Sequence, residues 1–290
     1  MTGLCRLHEG RCHTGWPLAW YTSRCENALS RSPSSGRAAL HVEGNLEPII
    51  QAMSVVKTYR SRNIVVNALR GVSIDVQKGE MVAVMGPSGS GKTTLLNCLS
   101  GLDSVDSGEV RIAGNAIKKM SDDALSEYRA KTMGFVFQAY NLLPVLSALE
   151  NVEMPLVLSG VGPGEAKRRA GERLAQVGLG DRQHHKPAEL SGGQQQRVAI
   201  ARSLANDPAL VWADEPTGNL DSENAGDVMD LLVRLNKEHG QTFVIVTHSA
   251  EVGARANRIV RMRDGQIVDG GNAAQKGTPI AETAGSKASS

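Results

Sequence analysis

The sequence predicts an α/β fold: a parallel core sheet, an antiparallel β part ahead of it and a helical lobe inserted into it. Three observations carry that expectation. Met81 to Met85 (MVAVM) is an unbroken apolar run of strand length, followed by a glycine-rich loop and the apolar helix start Lys92 to Leu99. Pro208 to Ala213 is a second apolar run, ending in the carboxylates Asp214 and Glu215. From there strand and helix patterns alternate over 209–213, 222–238, 242–246 and 250–256, the rhythm of a parallel sheet with crossover helices.

The remaining elements follow in order. Ile49 to Tyr59 and Val65 to Val76 read as antiparallel strands ahead of the glycine-rich loop, and Gly108 to Ile112 as another. Between Asp122 and Leu190, helix-period apolar residues recur over Asp122 to Arg129, Ala148 to Leu156 and Gly164 to Val177. Pro144, Pro155 and Pro163 punctuate them. Lys167-Arg168-Arg169 fits the solvated face of a helix. Short strands at Arg258 to Met262 and Gln266 to Val268 close the pattern, and no internal repeat is visible.

Gly86-Pro87-Ser88-Gly89-Ser90-Gly91-Lys92-Thr93 matches G-x-x-x-x-G-K-[ST] in the strand-loop-helix setting that gives this motif its meaning. Its glycines let backbone N–H groups turn inward around a β-phosphate, and the following helix adds its positive dipole end. Lys92 then neutralises β/γ charge, the Thr93 hydroxyl is placed to ligate Mg²⁺, and Thr94 counts among the nucleotide contacts. Asp214 would hold Mg²⁺ through water. Glu215 is the candidate general base for the attacking water, a role worth on the order of 10² to 10⁴ in rate. The bland alternative is that both carboxylates solvate a strand end. Against it, their strand is expected beside the phosphate-loop strand, at the carboxyl edge where ligands collect.

With these residues in place the chain resembles the ATP-binding-cassette (ABC) ATPases, from about Ile49 to Asp269. Leu190-Ser191-Gly192-Gly193-Gln194 matches the family signature, and Gln138 after Phe135-Val136-Phe137 the Q-loop. Asn219-Leu220-Asp221 matches the D-loop, and His248 the switch histidine. Tyr59 falls where the family keeps an aromatic stacked on adenine. The resemblance implies a P-loop NTPase cassette: a RecA-like parallel-sheet core, an antiparallel β subdomain and a helical signature subdomain at about 122–205. It also implies ATP and Mg²⁺ as ligands. Gln138 would reach Mg²⁺ or the attacking water through its carbonyl oxygen. His248 would report on the γ-phosphate and touch the loop carrying Glu215.

Ser191, Gly192 and Gly193 open a helix whose N–H groups, hydroxyl and dipole end face outward, with Gln194 in its first turn; this is an anion site without an anion of its own. In the family a facing subunit's γ-phosphate fills it, so two cassettes close head to tail around two ATP. Asn219 and Asp221 would touch across that seam, and the expected partner is a second cassette of the same kind in a homodimer, with heteromeric pairing left open.

Length and composition agree. The 290 residues, 41% of them hydrophobic, can bury one good-sized core and a smaller lobe. A net charge of +2, without a basic stripe or interleaved aromatics, gives no nucleic-acid footprint. No stretch approaches the roughly 18 apolar residues that cross a bilayer, so a membrane-spanning subunit is expected on another chain. Residues 1–48 are expected to be disordered, and translation from a non-Met start such as Val42 would leave most of them out. Cys5, His8, Cys12, His13 and Cys25 match no zinc spacing, and no secretory signal is visible. The tail 271–290 reads as a flexible end, and Cys98 as a small core residue.

Three strings, Met85 to Lys92, Gly134 to Gln138 with Asn141 to Pro144, and Asp214 to Asp221, narrow the resemblance to the lipoprotein-releasing and macrolide-export ATPases. It implies a peripheral subunit on the cytoplasmic face of the inner membrane, coupled to a separate transmembrane permease. Two alternatives stay open: a regulatory cassette of the cell-division type, and a soluble ABC protein acting on DNA or ribosomes. Two positions depart from the family: Ser249 stands where Asp is usual, which puts the loop geometry in question. Trp212 stands where an aliphatic residue is commoner and calls for a small neighbour.

Overall fold

The computed structural model describes residues 48–61 and 64–270. The readings of 1–47 and 271–290 lie outside them. Strands β1 (Ile50–Ser61) and β2 (Ile64–Val76) pair antiparallel, and β4 (Ser107–Ile112) and the short β5 (Asn115–Ala116) complete a sheet of order β2-β1-β4-β5. The second sheet uses β3 (Met81–Met85), β6 (Met133–Phe137), β7 (Leu210–Asp214), β8 (Thr242–Thr247), β9 (Arg258–Arg263) and β10 (Gln266–Asp269). Its order is β10-β9-β3-β8-β7-β6, parallel except for the β9–β10 hairpin.

Helices cover the core sheet: α1 (Lys92–Ser100), α2 (Asp122–Thr132), α3 (Ala148–Leu158), α4 (Pro163–Gln176), α5 (Gly192–Ser203), α6 (Ser222–His239) and α7 (Ala250–Ala254). Alternation along β7 and β8 explains why both runs are apolar throughout. Val211, Ala213, Phe243 and Ile245 enter one buried cluster with α3 to α6. Leu210, Trp212, Val244 and Val246 enter the other, with α1 and the antiparallel sheet. A sheet buried on both faces has no polar side to spend.

Four expectations change. β7 does not adjoin β3, because β8 lies between them and pairs with both. The crossover through α6 returns the chain to the slot nearest β3, and β9 takes the other side of β3, so chain order is not sheet order. The stretch 122–205 contains a core strand, β6, so the helical lobe proper begins at α3. α3 runs to Leu158, past the expected end at Leu156, with Pro155 inside it; the Pro155 carbonyl accepts from Ser159 N at 3.1 Å and Asn206 Nδ2 at 3.2 Å. Trp212 has no small in-register neighbour: Phe135 and Val244 flank it.

The Trp212 indole is fully buried in the cluster that holds Leu95 and Leu99, and its N–H donates to Met133 Sδ at 3.4 Å. Trp212→Ala therefore removes a large side chain from a fully buried site. The expected loss is about 3 to 5 kcal/mol, read by denaturant unfolding of purified protein. An unchanged midpoint would contradict this packing.

Candidate active site

The phosphate loop runs from the end of β3 to the first turn of α1. Gly91, the N-cap, has φ 97°, and a Cβ there would lie 2.5 Å from the Ala68 carbonyl oxygen. At Gly86 a Cβ would lie 2.3 Å from the Met262 carbonyl, so the loop passes against β9 with no room for a side chain. The Lys92 ammonium donates to the carbonyls of Gly86 at 2.9 Å and Pro87 at 3.0 Å. Ser90 Oγ is buried without a hydrogen-bond partner, an unmet polar atom inside the loop.

A cleft of about 630 Å³ opens on this loop. Tyr59, Val65 and Val66 line its β1–β2 side, residues 88–89 and 91–94 its floor, and Glu215 and Asp264 its rim. Glycine-rich backbone, one lysine, a flat tyrosine ring and adjacent valines together suit a nucleoside polyphosphate.

At the carboxyl edge of the sheet, Thr93 Oγ1 donates to Asp214 Oδ1 at 3.5 Å. Burial, then the charge of Glu215, pushes the Asp214 carboxyl above its usual pKa; the Thr93 hydrogen bond and Lys92 oppose the rise. No cluster of three or more His, Cys, Asp or Glu forms a metal cage among the described residues. One hydroxyl and one carboxylate at this spacing fit Mg²⁺, which keeps waters and takes its remaining oxygens from phosphates.

Glu215 has φ 47°, a left-handed conformation rare for a residue with a side chain. Its N–H donates to the Val246 carbonyl at 2.9 Å, and its Oε1 lies 2.7 Å from His248 Nδ1. The loop thus stores strain to aim one carboxylate into the cleft, with an exposed imidazole attached. Ser249 caps α7, its Oγ accepting from Val252 N at 3.4 Å. A hydroxyl performs the capping that a carboxylate would, so the departure at this position leaves the loop end formed.

Gln138 does not line the cleft. Its Nε2 donates to Asn219 Oδ1 at 3.1 Å, and Asn219 Nδ2 donates back to the Gln138 carbonyl at 3.0 Å. Ser191 to Gln194 do not line it either. Ser191 caps α5 in a capping box: its Oγ accepts from Gln194 N at 3.3 Å and its N–H donates to Gln194 Oε1 at 3.0 Å. The Gln194 N–H is therefore spent internally. The first-turn amides of Gly192 and Gly193, which have no intrahelical partner, and the Ser191 hydroxyl proton remain for an anion. Asp221 caps α6, accepting from Asn224 N at 2.9 Å and Asn224 Nδ2 at 2.7 Å.

The family profile described as ABC transporter matches residues 69–218. The chain belongs to the ABC transporter family. It is 52% identical to an ABC transporter ATP-binding protein of Thermotoga maritima over 222 residues, 77% of this chain and 94% of that one. It is 48% identical to the lipoprotein-releasing system ATP-binding protein LolD of Alcanivorax borkumensis, over 77% of this chain and 98% of LolD. It is 47% identical to the macrolide export ATP-binding/permease protein MacB of Hyphomonas neptunium, of which it spans 35%. Among solved structures, the dimeric post-hydrolysis cassette MJ0796, bound to ADP and Pi, superposes with a TM-score of 0.70 at 44% identity. The alignment covers 76% of this chain and 97% of that one. The fold is accordingly that of a P-loop ABC ATPase cassette.

Within this cassette, sequence reasoning missed the partners that hold the site in shape. Lys57 and Asp103 flank Tyr59, and Arg202 of α5 donates to the carbonyl of Tyr140 at 2.8 Å and to that of Asn141. Tyr140 and Asn141 both have positive φ, 59° and 51°. The one available signal was the Lys57-x-Tyr59 spacing, two positions apart on β1.

Proposed function

We propose that this ABC ATPase cassette binds ATP with Mg²⁺ in the 630 Å³ cleft and hydrolyses it only as one half of a head-to-tail pair. One observation carries the reading: the Ser191–Gln194 helix start offers anion-binding groups but lines no part of the cleft that holds Lys92. A second subunit, by a two-fold operation, brings each signature to the other's nucleotide.

In this reading Tyr59 stacks on the base, the 86–91 loop and Thr94 wrap the phosphates, and Lys92 neutralises their charge. Thr93 and Asp214 would hold Mg²⁺, with Gln138 joining them as the pair closes; when bound, the ion would supply Lewis-acid stabilisation of phosphate charge. Glu215 takes the proton of the attacking water, and His248, on the same carboxylate, fixes its direction. Asp221 and Asn219 meet the facing subunit. Phosphate loss then removes what joins the halves, and the pair opens.

We place the cassette at 49–270, on the cytoplasmic face of a membrane, with a transmembrane permease on a separate chain. No helix of the described residues is long and apolar enough to cross a membrane. A groove of about 370 Å³ between β6 and α3, lined by Phe135, Phe137, Asn141, Pro155 and Arg202, offers that permease a seat. Leu143, Val145, Val157 and Leu158 stand exposed on the same lobe. Arg202 ties the groove to the signature helix, so movement of one carries the other.

Turnover per subunit measured across a thousandfold dilution tests the pairing. The expected result is a rate proportional to subunit concentration at low protein and constant at high protein. A rate independent of concentration throughout overturns it.

A further inference from the structure

Lys57 and Tyr59, two positions apart on β1, converge on one carboxylate. Asp103 Oδ2 accepts from the Tyr59 hydroxyl at 2.6 Å, and Oδ1 accepts from Lys57 Nζ at 2.6 Å and Ser104 N at 2.7 Å. Lys57 Nζ also donates to the Ser104 carbonyl at 2.7 Å and stands 5.1 Å from the centroid of the Tyr59 ring. The lysine is only 7% exposed, whereas Tyr59 is 41% exposed and lines the cleft. Burying an ammonium is costly unless it is fully paired, and here every stated partner also touches the tyrosine or the loop beneath it. Asp103 is itself fixed to α1, its N–H donating to the Asn97 carbonyl at 3.0 Å. The other end of α1 is the phosphate loop.

We infer that Asp103, supported by Lys57, is a positioning residue that locks the Tyr59 ring at a set height and tilt above the phosphate loop, ready to stack on a purine. This rests on Tyr59 being the base-stacking residue. A free tyrosine side chain loses rotamer freedom when it stacks; one already clamped through its hydroxyl does not, and the gain appears as affinity for the base. The Lys57 ammonium over the ring adds a cation–π contact that holds the same geometry.

The contrast is with an ion pair that merely fastens β1 to the loop after α1, and a ligand without a base separates the two. ATP dissociation constants and inhibition constants for inorganic tripolyphosphate are to be measured for wild type, Tyr59→Phe, Tyr59→Ala, Asp103→Ala and the Asp103→Ala/Tyr59→Phe double variant. Clamping predicts that Tyr59→Phe and Asp103→Ala each weaken ATP about 2- to 10-fold, the range of an aromatic contact, and leave tripolyphosphate unchanged. The double variant should be no weaker than either single one, because both break the same link. Should Asp103→Ala fail to fold, Tyr59→Phe carries the test alone.

Wild-type ATP affinity in Tyr59→Phe and Asp103→Ala, with loss in Tyr59→Ala, overturns the clamp and leaves the stacking role intact. An unchanged Tyr59→Ala removes the stacking role and the clamp together. Parallel weakening of tripolyphosphate in Asp103→Ala shows that Asp103 serves the phosphate loop itself and also overturns the clamp.

Discussion

Glu215→Gln is expected to lower turnover by about 10² to 10⁴ while leaving ATP binding intact. The substitution keeps the shape of the side chain and the backbone bond from residue 215 to Val246 that holds the left-handed turn. A hydrogen bond to His248 Nδ1 also survives, since the amide oxygen accepts what the carboxylate accepted. Only basicity is lost. Because ATP is bound and not cleaved, the closed pair should accumulate, and gel filtration with ATP should show a species of twice the monomer mass. Retention of more than a tenth of wild-type turnover would remove Glu215 as the base. Loss of ATP binding would instead mean that the strained loop had collapsed. His248→Ala should lower turnover by less, because it removes the group that directs the carboxylate and not the carboxylate.

The parts legible in the sequence are those written in consecutive residues. The apolar runs of β3, β7 and β8 announce strands buried on both faces, and the glycine-lysine loop carries its own geometry, down to positions such as Gly86 where β9 leaves no space for a Cβ. Strand order was not legible, since nothing in 209–213 records that β8 will come between β7 and β3. The same applies to polar partners distant in the chain. Lys57 and Asp103 are 46 residues apart, and Gln138 and Asn219 are 81 apart, so each pair exists only through the fold. Pro155 did not stop α3 because a proline removes only its own N–H, the bond that would run to the residue 151 carbonyl, and the helix continues just three residues beyond it. Trp212 misled because the volume it needs is provided toward α1 and beside Met133, diagonal to it on β6, and not by a small residue directly opposite it.

Gly193→Asp is expected to abolish turnover, by at least two orders of magnitude on the oxyanion-site scale, while a single subunit binds ATP as before. A Cβ at residue 193 would lie 2.4 Å from Asn224 Oδ1, closer than any real contact. Asn224 cannot simply swing aside, because its N–H and its amide nitrogen are both spent on Asp221, the cap of α6. Displacing Asn224 therefore disturbs the D-loop and the signature together, and both belong to the proposed seam. The added carboxylate would also sit at a helix N-terminus meant for a phosphate, where like charges repel. Since residues 191–194 line no part of the cleft, nucleotide affinity has no reason to change. ATP titration of the variant, with gel filtration in the Glu215→Gln background, separates the two steps: binding should match the parent and the ATP-dependent dimer should be absent. A variant that still dimerises with ATP would show that the helix start at Ser191 does not receive the facing phosphate.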